Sequence, residues 1–285
     1  MKSLINLALV CLLLGYSTLS FGVDATPEPL QIPKYEESDI NIKVDGVLDE
    51  SIWETTPWYD NLAVVEPDTL KDASLQTKIR YFYTDEGLYI GVWNEQDKDT
   101  LISRLSSRDQ FISRDDLSIT LDSSGQGLYA YWFGIGLGGS LLDGTVLPER
   151  QFSREWDGPW RGASAEVEGG WSAEMFIPWS MMTMPDVTGE VREMGFYISR
   201  EVAYVNERWG WPALPRTKSV FMSQLQKMEL RGINPRQQFT FYPYASTTYD
   251  NTTSQDTYKA GFDLFWRPSS NLQLSSTINP DFGNV

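Results

Sequence analysis

Two extended segments and the turn between them are encoded by the stretch Arg80-Tyr81-Phe82-Tyr83-Thr84-Asp85-Glu86-Gly87-Leu88-Tyr89-Ile90-Gly91. Its first half continues a period-two alternation, in which Ile79, Tyr81 and Tyr83 lie on one face of an extended chain. The three residues after Thr84 have the composition of a tight turn. Beyond the turn the alternation resumes at Leu88, Ile90 and Val92. The stretch therefore predicts an antiparallel β-hairpin with one face toward a core.

The same alternation recurs along the chain, whereas helical periodicity is almost absent. Further strands are predicted around Leu117, Ile119 and Leu121, around Tyr129, Tyr131, Phe133, Ile135 and Leu137, around Trp171, Ala173, Met175 and Ile177, and around Phe196 and Ile198. One short helix is predicted after Asp49, its N-cap, with Ile52 and Trp53 facing inward. Many short strands separated by turns predict an all-β fold, an antiparallel, jelly-roll-like β-sandwich over residues 38–232.

The N-terminal residues have the features of a signal peptide. Lys2 provides the positive charge, residues 4–14 form a short apolar run, and Ser20-Phe21-Gly22 offers small residues for cleavage. Acylation at Cys11 is the alternative, but Val10 stands where a small residue is expected. We therefore expect a signal peptide over residues 1–22 and a Pro-containing linker over 23–37. The protein would then be exported to the periplasm or outer membrane of a Gram-negative bacterium.

Residues 233–285 differ in character from the sandwich. Strands of about ten residues with aromatic side chains near their ends are typical of outer-membrane β-barrels. The alternating positions are Phe239, Phe241, Ala245, Ala260, Phe262, Leu264, Trp266, Leu272, Leu274 and Ile278. We expect the first strands of such a barrel, truncated at Val285, because a few strands cannot close in lipid. The alternative is that these strands belong to the soluble fold.

Composition excludes several function classes. The chain has no histidine, so imidazole acid/base chemistry, Ser-His-Asp triads and HExxH zinc sites are absent. Its single cysteine, Cys11, lies in the leader, which leaves the mature chain without disulfides. A formal charge of −16 argues against nucleic acid as a partner, because phosphate binding needs clustered Lys and Arg.

Four segments, in order along the chain, resemble family 9 carbohydrate-binding modules, which accompany xylanases. They are Val44-Asp45-Gly46-Val47-Leu48-Asp49-Glu50 with Trp53, the hairpin at residues 80–91, Arg114-Asp115-Asp116 with Leu121-Asp122, and Gly170-Trp171 with Glu174, Ile177, Pro178 and Trp179. The wider arrangement resembles envelope proteins in which such a module precedes an outer-membrane barrel. The segments Trp156-Asp157-Gly158-Pro159-Trp160 and Asn279-Pro280-Asp281-Phe282-Gly283 carry that second resemblance.

The family resemblance implies a sugar site in which two tryptophans clamp the ligand and a carboxylate and an arginine bind hydroxyls. These positions fall near Ile112 and Phe111, on Ser118, near Trp132 or Phe133, and on Trp209 or Trp211. The ligand signature is therefore largely replaced. Trp53, Trp171 and Trp179 fit the core, whereas tryptophans near Gly and Pro can line a ligand surface or cap the core. The candidate carbohydrate-binding residues are Trp209, Trp211, Trp156, Trp160 and Phe111.

Three functions remain open from the sequence. The first is carbohydrate binding, with an oligo- or polysaccharide as partner, in an envelope protein linked to carbohydrate catabolism. The second is a structural or transport role as the periplasmic domain of an outer-membrane barrel. The third is a glycoside hydrolase, although neighbouring acids such as Asp115 and Asp116 face opposite ways and only Glu155 and Asp157 could share a face. No cofactor is required, but the resemblance makes Ca²⁺ possible, with Asp97, Asp99 and Asp122 as loop acids.

Overall fold

A computed structural model of the chain describes residues 28–185, 187, 189–233, 238–250, 255–269 and 272–279. The expected signal peptide and the first residues of the expected linker lie outside this part. Within it, no helix has both the length and the apolar character needed to cross a membrane.

Short strands make up most of the described chain. In chain order they are β1 Leu30–Gln31, β2 Trp58–Tyr59, β3 Ala63–Glu66, β4 Thr77–Tyr83, β5 Gly87–Glu95, β6 Asp116–Asp122, β7 Ala130–Gly136, β8 Leu141–Leu147, β9 Gln151–Ser153, β10 Arg161–Val167, β11 Gly170–Pro178, β12 Val191–Val202, β13 Glu207–Trp211, β14 Gln226–Arg231, β15 Gln238–Asp250, β16 Gln255–Ser269 and β17 Leu272–Ile278. The α-helix is α1, Ser51–Thr55. Single 3₁₀ turns occur at Glu37–Asp39, Lys98–Thr100, Pro148–Arg150, Trp179–Met181 and Met222–Gln224.

Two sheets form the sandwich. Sheet A has the order β1-β14-β12-β6-β7-β8-β9, and β13 pairs with both β12 and β3. Sheet B has the order β10-β11-β5-β4-β2. Apart from the parallel pair of β1 and β14, the ladders within both sheets are antiparallel. The predicted all-β antiparallel sandwich is therefore confirmed. It begins earlier than the predicted residue 38, because β1 pairs with β14 and Ile32 is buried in the core, where a linker was expected.

The main core lies between sheets A and B and uses the alternating positions that the sequence predicts. Ile79, Tyr81 and Tyr83 of β4 are almost fully buried there, opposite residues from sheet A. The other inward side chains of the predicted strands are Leu88, Ile90, Val92, Leu117, Ile119, Leu121, Tyr131, Phe133, Ile135, Trp171, Ala173, Met175, Ile177, Phe196 and Ile198. Period-two burial on both sheets produces one continuous apolar layer.

The helix prediction was wrong by one residue at its start. Helix α1 begins at Ser51, and its N-cap is Glu50, whose side chain makes no capping hydrogen bond. Trp53 is buried as predicted, and Ile52 is partly buried beside it. A helix of five residues has little intrinsic stability, so packing of Trp53 against the sheet holds it in place.

The outer face of sheet B is closed by the N-terminal segment, residues 35–56. Trp53 packs on Phe82 with ring centroids 5.2 Å apart, and Phe82 stacks on Tyr89 at 4.9 Å. The buried carboxylate of Glu174 accepts hydrogen bonds from the backbone N–H of Asp45 (3.0 Å) and Gly46 (2.9 Å) and from Trp53 Nε1 (2.9 Å). By accepting three hydrogen bonds, the Glu174 carboxylate attaches this segment to the sheet.

Gly46 is required by that attachment. Its φ is +92°, a conformation that L side chains rarely adopt, and an added Cβ would lie 2.6 Å from the Ser164 backbone. The hydroxyl of Ser172 also donates to the Gly46 carbonyl at 2.5 Å. The Asp-Gly pair and the following Trp of the first family-like segment are thus explained by one contact with β10 and β11.

The described part of the chain covers the outer face of sheet A only partly. Residues 212–225 cross it and pack on outward-facing side chains of the sheet. The resulting second apolar cluster consists of Ala130, Trp132, Leu142, Val146, Tyr197, Leu214, Phe221, Met222 and Leu225. Trp132 faces this outer side because it alternates in the strand with Tyr131 and Phe133, which face the main core. Toward the start of β6, the same face carries polar side chains in place of apolar ones.

Sheet C, order β15-β16-β17, contains the C-terminal strands. Its register places Phe241 opposite Leu264, and Phe239 opposite Trp266, which in turn faces Leu274. Several large apolar side chains of this sheet are exposed, among them Phe239 at 67% and Ile278 at 51%. One face of sheet C is therefore apolar and open among the described residues.

Candidate functional site

A cleft of about 330 Å³ opens on the uncovered part of sheet A. We call it the polar cleft. It is lined by Glu66, Phe111, Ile112, Ser113, Asp116, Glu201, Asn206, Arg208 and Arg216. Strands β3, β6, β12 and β13 supply most of its floor, and the loop before β6 supplies one wall.

The floor of the polar cleft is a row of three charged residues on adjacent strands. Glu201 of β12 lies directly opposite Asp116 of β6 on one side and Arg208 of β13 on the other. Residues opposite one another in neighbouring strands point to the same face. The row is therefore fixed by backbone pairing.

The side chains of this row are joined by ion pairs. Arg208 Nη2 lies 2.5 Å from Glu201 Oε2, and Arg208 Nη1 lies 3.6 Å from Asp116 Oδ1. Arg208 Nη1 also donates to Ser199 Oγ at 3.3 Å, and that hydroxyl lies 2.9 Å from Ser118 Oγ. The three charged side chains are between 14% and 21% exposed, so a ligand in the cleft can reach them.

Burial and charge act against each other on the titratable groups of the row. Burial raises the pKa of Asp116 and of Glu201, and the Arg208 guanidinium opposes both shifts. Burial lowers the pKa of Arg208, but the carboxylates of Asp116 and Glu201 outweigh it and leave that pKa above its ordinary value. The cleft therefore keeps a protonated guanidinium between two carboxyl groups.

Below the row, a buried arginine joins the two sheets. Arg200 is fully buried and donates to the Glu95 carbonyl (2.7 Å), Thr77 Oγ1 (2.9 Å) and Gln96 Oε1 (3.0 Å) across the sandwich. Its guanidinium lies 5.0 Å from the Trp209 ring centroid. Burial lowers the pKa of Arg200 to about 10, so it stays charged at neutral pH. The hydrogen bonds of Arg200 therefore fix β12, which carries Glu201 of the cleft floor, to sheet B.

One wall of the polar cleft is aromatic. The Phe111 side chain is 63% exposed, and its ring stacks on Trp132 with centroids 5.6 Å apart and an interplanar angle of 23°. Ile112 beside it is 36% exposed. At the rim, Arg216 Nε lies 3.3 Å from Glu66 Oε2. An aromatic surface beside convergent charged groups suits a ligand with apolar ring faces and many hydroxyls.

The five candidate residues from the sequence are distributed unequally. Phe111 lines the polar cleft. Trp211 and Trp156 are partly buried against the main core. Trp209 and Trp160 are buried in that core, at 0% and 4% exposure, so neither can stack on a ligand.

The burial of the two core tryptophans has a local cause. Trp209 alternates with Arg208 and Gly210 on β13, so it points inward when Arg208 points into the cleft. Its Nε1 donates to Glu207 Oε2 at 2.8 Å. Trp160 packs edge-on against Phe133 at 5.5 Å. The expectation that Trp209 and Trp160 line a ligand surface is therefore wrong: Trp209 lies in β13, and Trp160, in the segment between β9 and β10, packs into the core.

The site residues predicted from the sequence did not include the cleft residues Asp116, Glu201, Asn206 and Arg208. Period-two alternation did place Asp115 and Asp116 on opposite faces, and Asp115 is indeed buried while Asp116 faces the cleft. The same alternation, applied to Arg208 and Trp209, predicts that the arginine faces outward when the tryptophan is in the core. Long-range pairing of β6, β12 and β13 was required to bring the residues together.

The resemblance makes Asp97, Asp99 and Asp122 possible calcium ligands. Asp122 already accepts four hydrogen bonds within its own loop, from Ser124 N and Oγ, Gly125 N and Gly127 N. Among the described residues, carboxylate oxygens converge to within 4.8 Å at Asp109, Asp143 and Asp157. Arg108 pairs there with Asp143 (2.7 Å) and Asp157 (3.2 Å) and supplies the positive charge.

A second cavity, of about 800 Å³, lies near the β10–β11 turn. Its charged lining consists of Glu95, Asp97, Glu166 and Glu168 with Lys98, and these side chains are exposed. The polar cleft, by contrast, holds its charged groups through ion pairs on paired strands. Preorganised groups favour specific binding, so the polar cleft is the better candidate.

Comparisons with known proteins bear on the fold. No family model matches this sequence, and no curated protein matches it. A candidate carbohydrate-binding protein from Bacteroides uniformis is similar with a TM-score of 0.55 and 12% identity, over 71% of this chain and 98% of its own. Family 9 carbohydrate-binding modules from Caldicellulosiruptor kristjanssonii, in complex with cellotriose and with glucose, have TM-scores of 0.48 and 0.47 and identities of 13% and 14%; they cover 72% and 73% of this chain and 95% and 100% of their own. At these identities the Bacteroides protein shows a shared sandwich fold.

Proposed function

We propose that the polar cleft binds a carbohydrate, and that residues 38–232 act as a carbohydrate-binding module of a cell-envelope protein linked to polysaccharide breakdown. The observation that carries the proposal is the exposed Phe111 ring beside the Asp116–Glu201–Arg208 row. Pyranose rings present apolar C–H faces to aromatic side chains and hydroxyls to charged groups. The cleft offers both within one cavity of about 330 Å³.

The charged row suits hydroxyl recognition specifically. A hydroxyl both donates and accepts hydrogen bonds, so it can donate to Asp116 or Glu201 and accept from Arg208. Hydrogen bonds to charged groups are about twice as strong as neutral ones. The acidic chain, with a charge of −16, favours a neutral ligand over an anionic one.

The test is isothermal titration calorimetry with glucose, xylose and soluble cello- and xylo-oligosaccharides. We expect saturable binding that weakens at least about tenfold in Phe111→Ala and in Glu201→Gln, a loss of about 1.4 kcal/mol. Trp58→Ala is the matched control, because Trp58 is 46% exposed on sheet B, away from the cleft. Absence of binding to every sugar, or full affinity in Phe111→Ala, would overturn the proposal.

The same samples test two accompanying hypotheses. Repeating the titrations with calcium and with a chelator tests whether sugar binding depends on calcium. Assaying released reducing sugar tests the glycoside hydrolase alternative. Activity that disappears in Glu155→Gln or Asp157→Asn would support hydrolysis; activity that persists in both would exclude these residues as the catalytic pair.

A second candidate role concerns sheet C. We propose that its apolar face contacts the lipid of an outer membrane, with export preceding insertion. Support comes from the exposed alternating side chains Phe241, Trp266, Leu274 and Ile278, since barrel strands place apolar residues on their lipid face. We expect the apolar face to adsorb to the surface of phosphatidylcholine vesicles, so that the chain sediments with them, and we expect Phe241→Ser/Trp266→Ser to abolish this sedimentation. Phe265→Ser, on the opposite face, is the control, and unchanged sedimentation of the double variant would contradict the proposal.

A further inference from the structure

We propose that the ligand site continues beyond the polar cleft over an aromatic shelf formed by Phe111, Trp132 and Phe152, so that the site takes an oligosaccharide of several rings. This inference rests on the proposed function, because it extends the same site. Phe111 belongs to both parts: it lines the cleft and stacks on Trp132.

The shelf consists of one buried ring between two exposed ones. Trp132 is 4% exposed, whereas Phe111 is 63% and Phe152 is 50% exposed. The Trp132 centroid lies 5.6 Å from that of Phe111 and 6.1 Å from that of Phe152. Exposed aromatic rings that are contiguous with a cleft mark a binding surface, because such area is costly to leave in water.

Phe152 is held in place by the edge of sheet A. It lies on β9, where it pairs with Val146 of β8, and its ring also contacts Phe221 at 6.1 Å. The Trp132 Nε1–H donates to the Ser153 carbonyl at 3.3 Å. Gly144, between them, leaves no space for a Cβ. The Phe152 ring is therefore presented by a fixed strand rather than by a loose loop.

The dimensions of the shelf require more than one sugar ring. Strand β9 lies three places from β6 in sheet A, which corresponds to roughly 14 Å at the usual spacing of strands. A ligand that contacts Asp116 on β6 and Phe152 on β9 must span at least this distance, because the register also offsets the two residues along the strands. Between the two ends, the Arg154 guanidinium lies 5.2 Å from the Phe111 ring and donates to the Asp109 carbonyl at 3.0 Å. Arg154 places further hydrogen-bond donors along the path.

The experiment compares ligand lengths in the full chain by calorimetry, using the mono-, di-, tri- and tetrasaccharide of the sugar series that binds best. We expect affinity to rise with length in the wild type. Phe152→Ala should lower tetrasaccharide affinity about tenfold and leave monosaccharide affinity within about twofold. Phe152→Tyr keeps the ring and should restore the dependence on length.

The outcomes separate the two proposals. If no sugar binds, the proposed function fails and this extension fails with it. If sugars bind with the same affinity at every length, or if Phe152→Ala weakens mono- and tetrasaccharide binding equally, the extension alone is overturned. Phe111→Ala should instead weaken every length, because Phe111 contacts the ring in the cleft.

Discussion

Both outer faces of the sandwich carry acidic side chains, but these side chains have different roles on the two faces. On sheet B, the carboxylate of Glu174 is fully buried, and its hydrogen-bonding partners all come from the N-terminal segment. On sheet A, Asp116 and Glu201 share one guanidinium and remain partly exposed. A face whose polar groups are satisfied by the chain itself contributes stability, and a face that keeps them accessible is available to a ligand.

The largest expected effect is on the closed face. Glu174→Ala should lower the free energy of unfolding by about 4 kcal/mol, because it leaves three donors without their acceptor. Urea unfolding followed by tryptophan fluorescence measures it. Glu193→Ala, at an exposed position of β12, is the control and should change little. A loss below about 1 kcal/mol for Glu174→Ala would remove the proposed difference between the faces.

A second substitution tests the close approach of the N-terminal segment. Gly46→Ala should cost about 3 kcal/mol, since it adds a clash with the Ser164 backbone to an unfavourable φ. Gly139→Ala shares a positive φ of +87° but meets nothing within 4 Å. The difference between the two variants in the same urea titration measures the clash alone. Equal losses would show that only backbone conformation matters at Gly46.

The pH dependence of stability should also report on Glu174. Burial raises its pKa from 4.5 to about 7. The folded state therefore holds this proton to higher pH than the unfolded state, so the contribution is complete below pH 4.5 and is lost as pH rises toward 7. We expect Glu174→Gln to flatten the curve of unfolding free energy against pH by about 2 kcal/mol across this range. An unchanged slope would show that Glu174 does not titrate there.

The smallest expected effect is on the open face. Glu201→Gln should change the free energy of unfolding by less than about 1 kcal/mol, because partly exposed ion pairs contribute little and Arg208 keeps Asp116 as a partner. The same variant is expected to weaken sugar binding. If it destabilised the fold as strongly as Glu174→Ala, the polar cleft would be a structural element rather than a binding site.

Local alternation was sufficient for the sandwich and insufficient for the site. The alternation of apolar and polar neighbours predicts that Ile79, Leu117 and Trp171 point inward, so the core could be predicted residue by residue. The charged row could not, because Asp116, Glu201 and Arg208 lie far apart in sequence and meet only through strand pairing. The expectation that tryptophans near Gly and Pro line the ligand surface was wrong for Trp209 and Trp160, which lie in the core, and the exposed ring at the cleft is a phenylalanine.

Strand β12 pairs with two different strands along one edge. Its residues Val191–Phe196 pair with β14, and Ile198–Val202 pair with β13 on the same edge. Strand β13 therefore presents Arg208 to the polar cleft and Trp209 to the core. A change in the length or register of this hairpin would move both residues together. Changes in ligand recognition at Arg208 are thus limited by the stability that Trp209 provides.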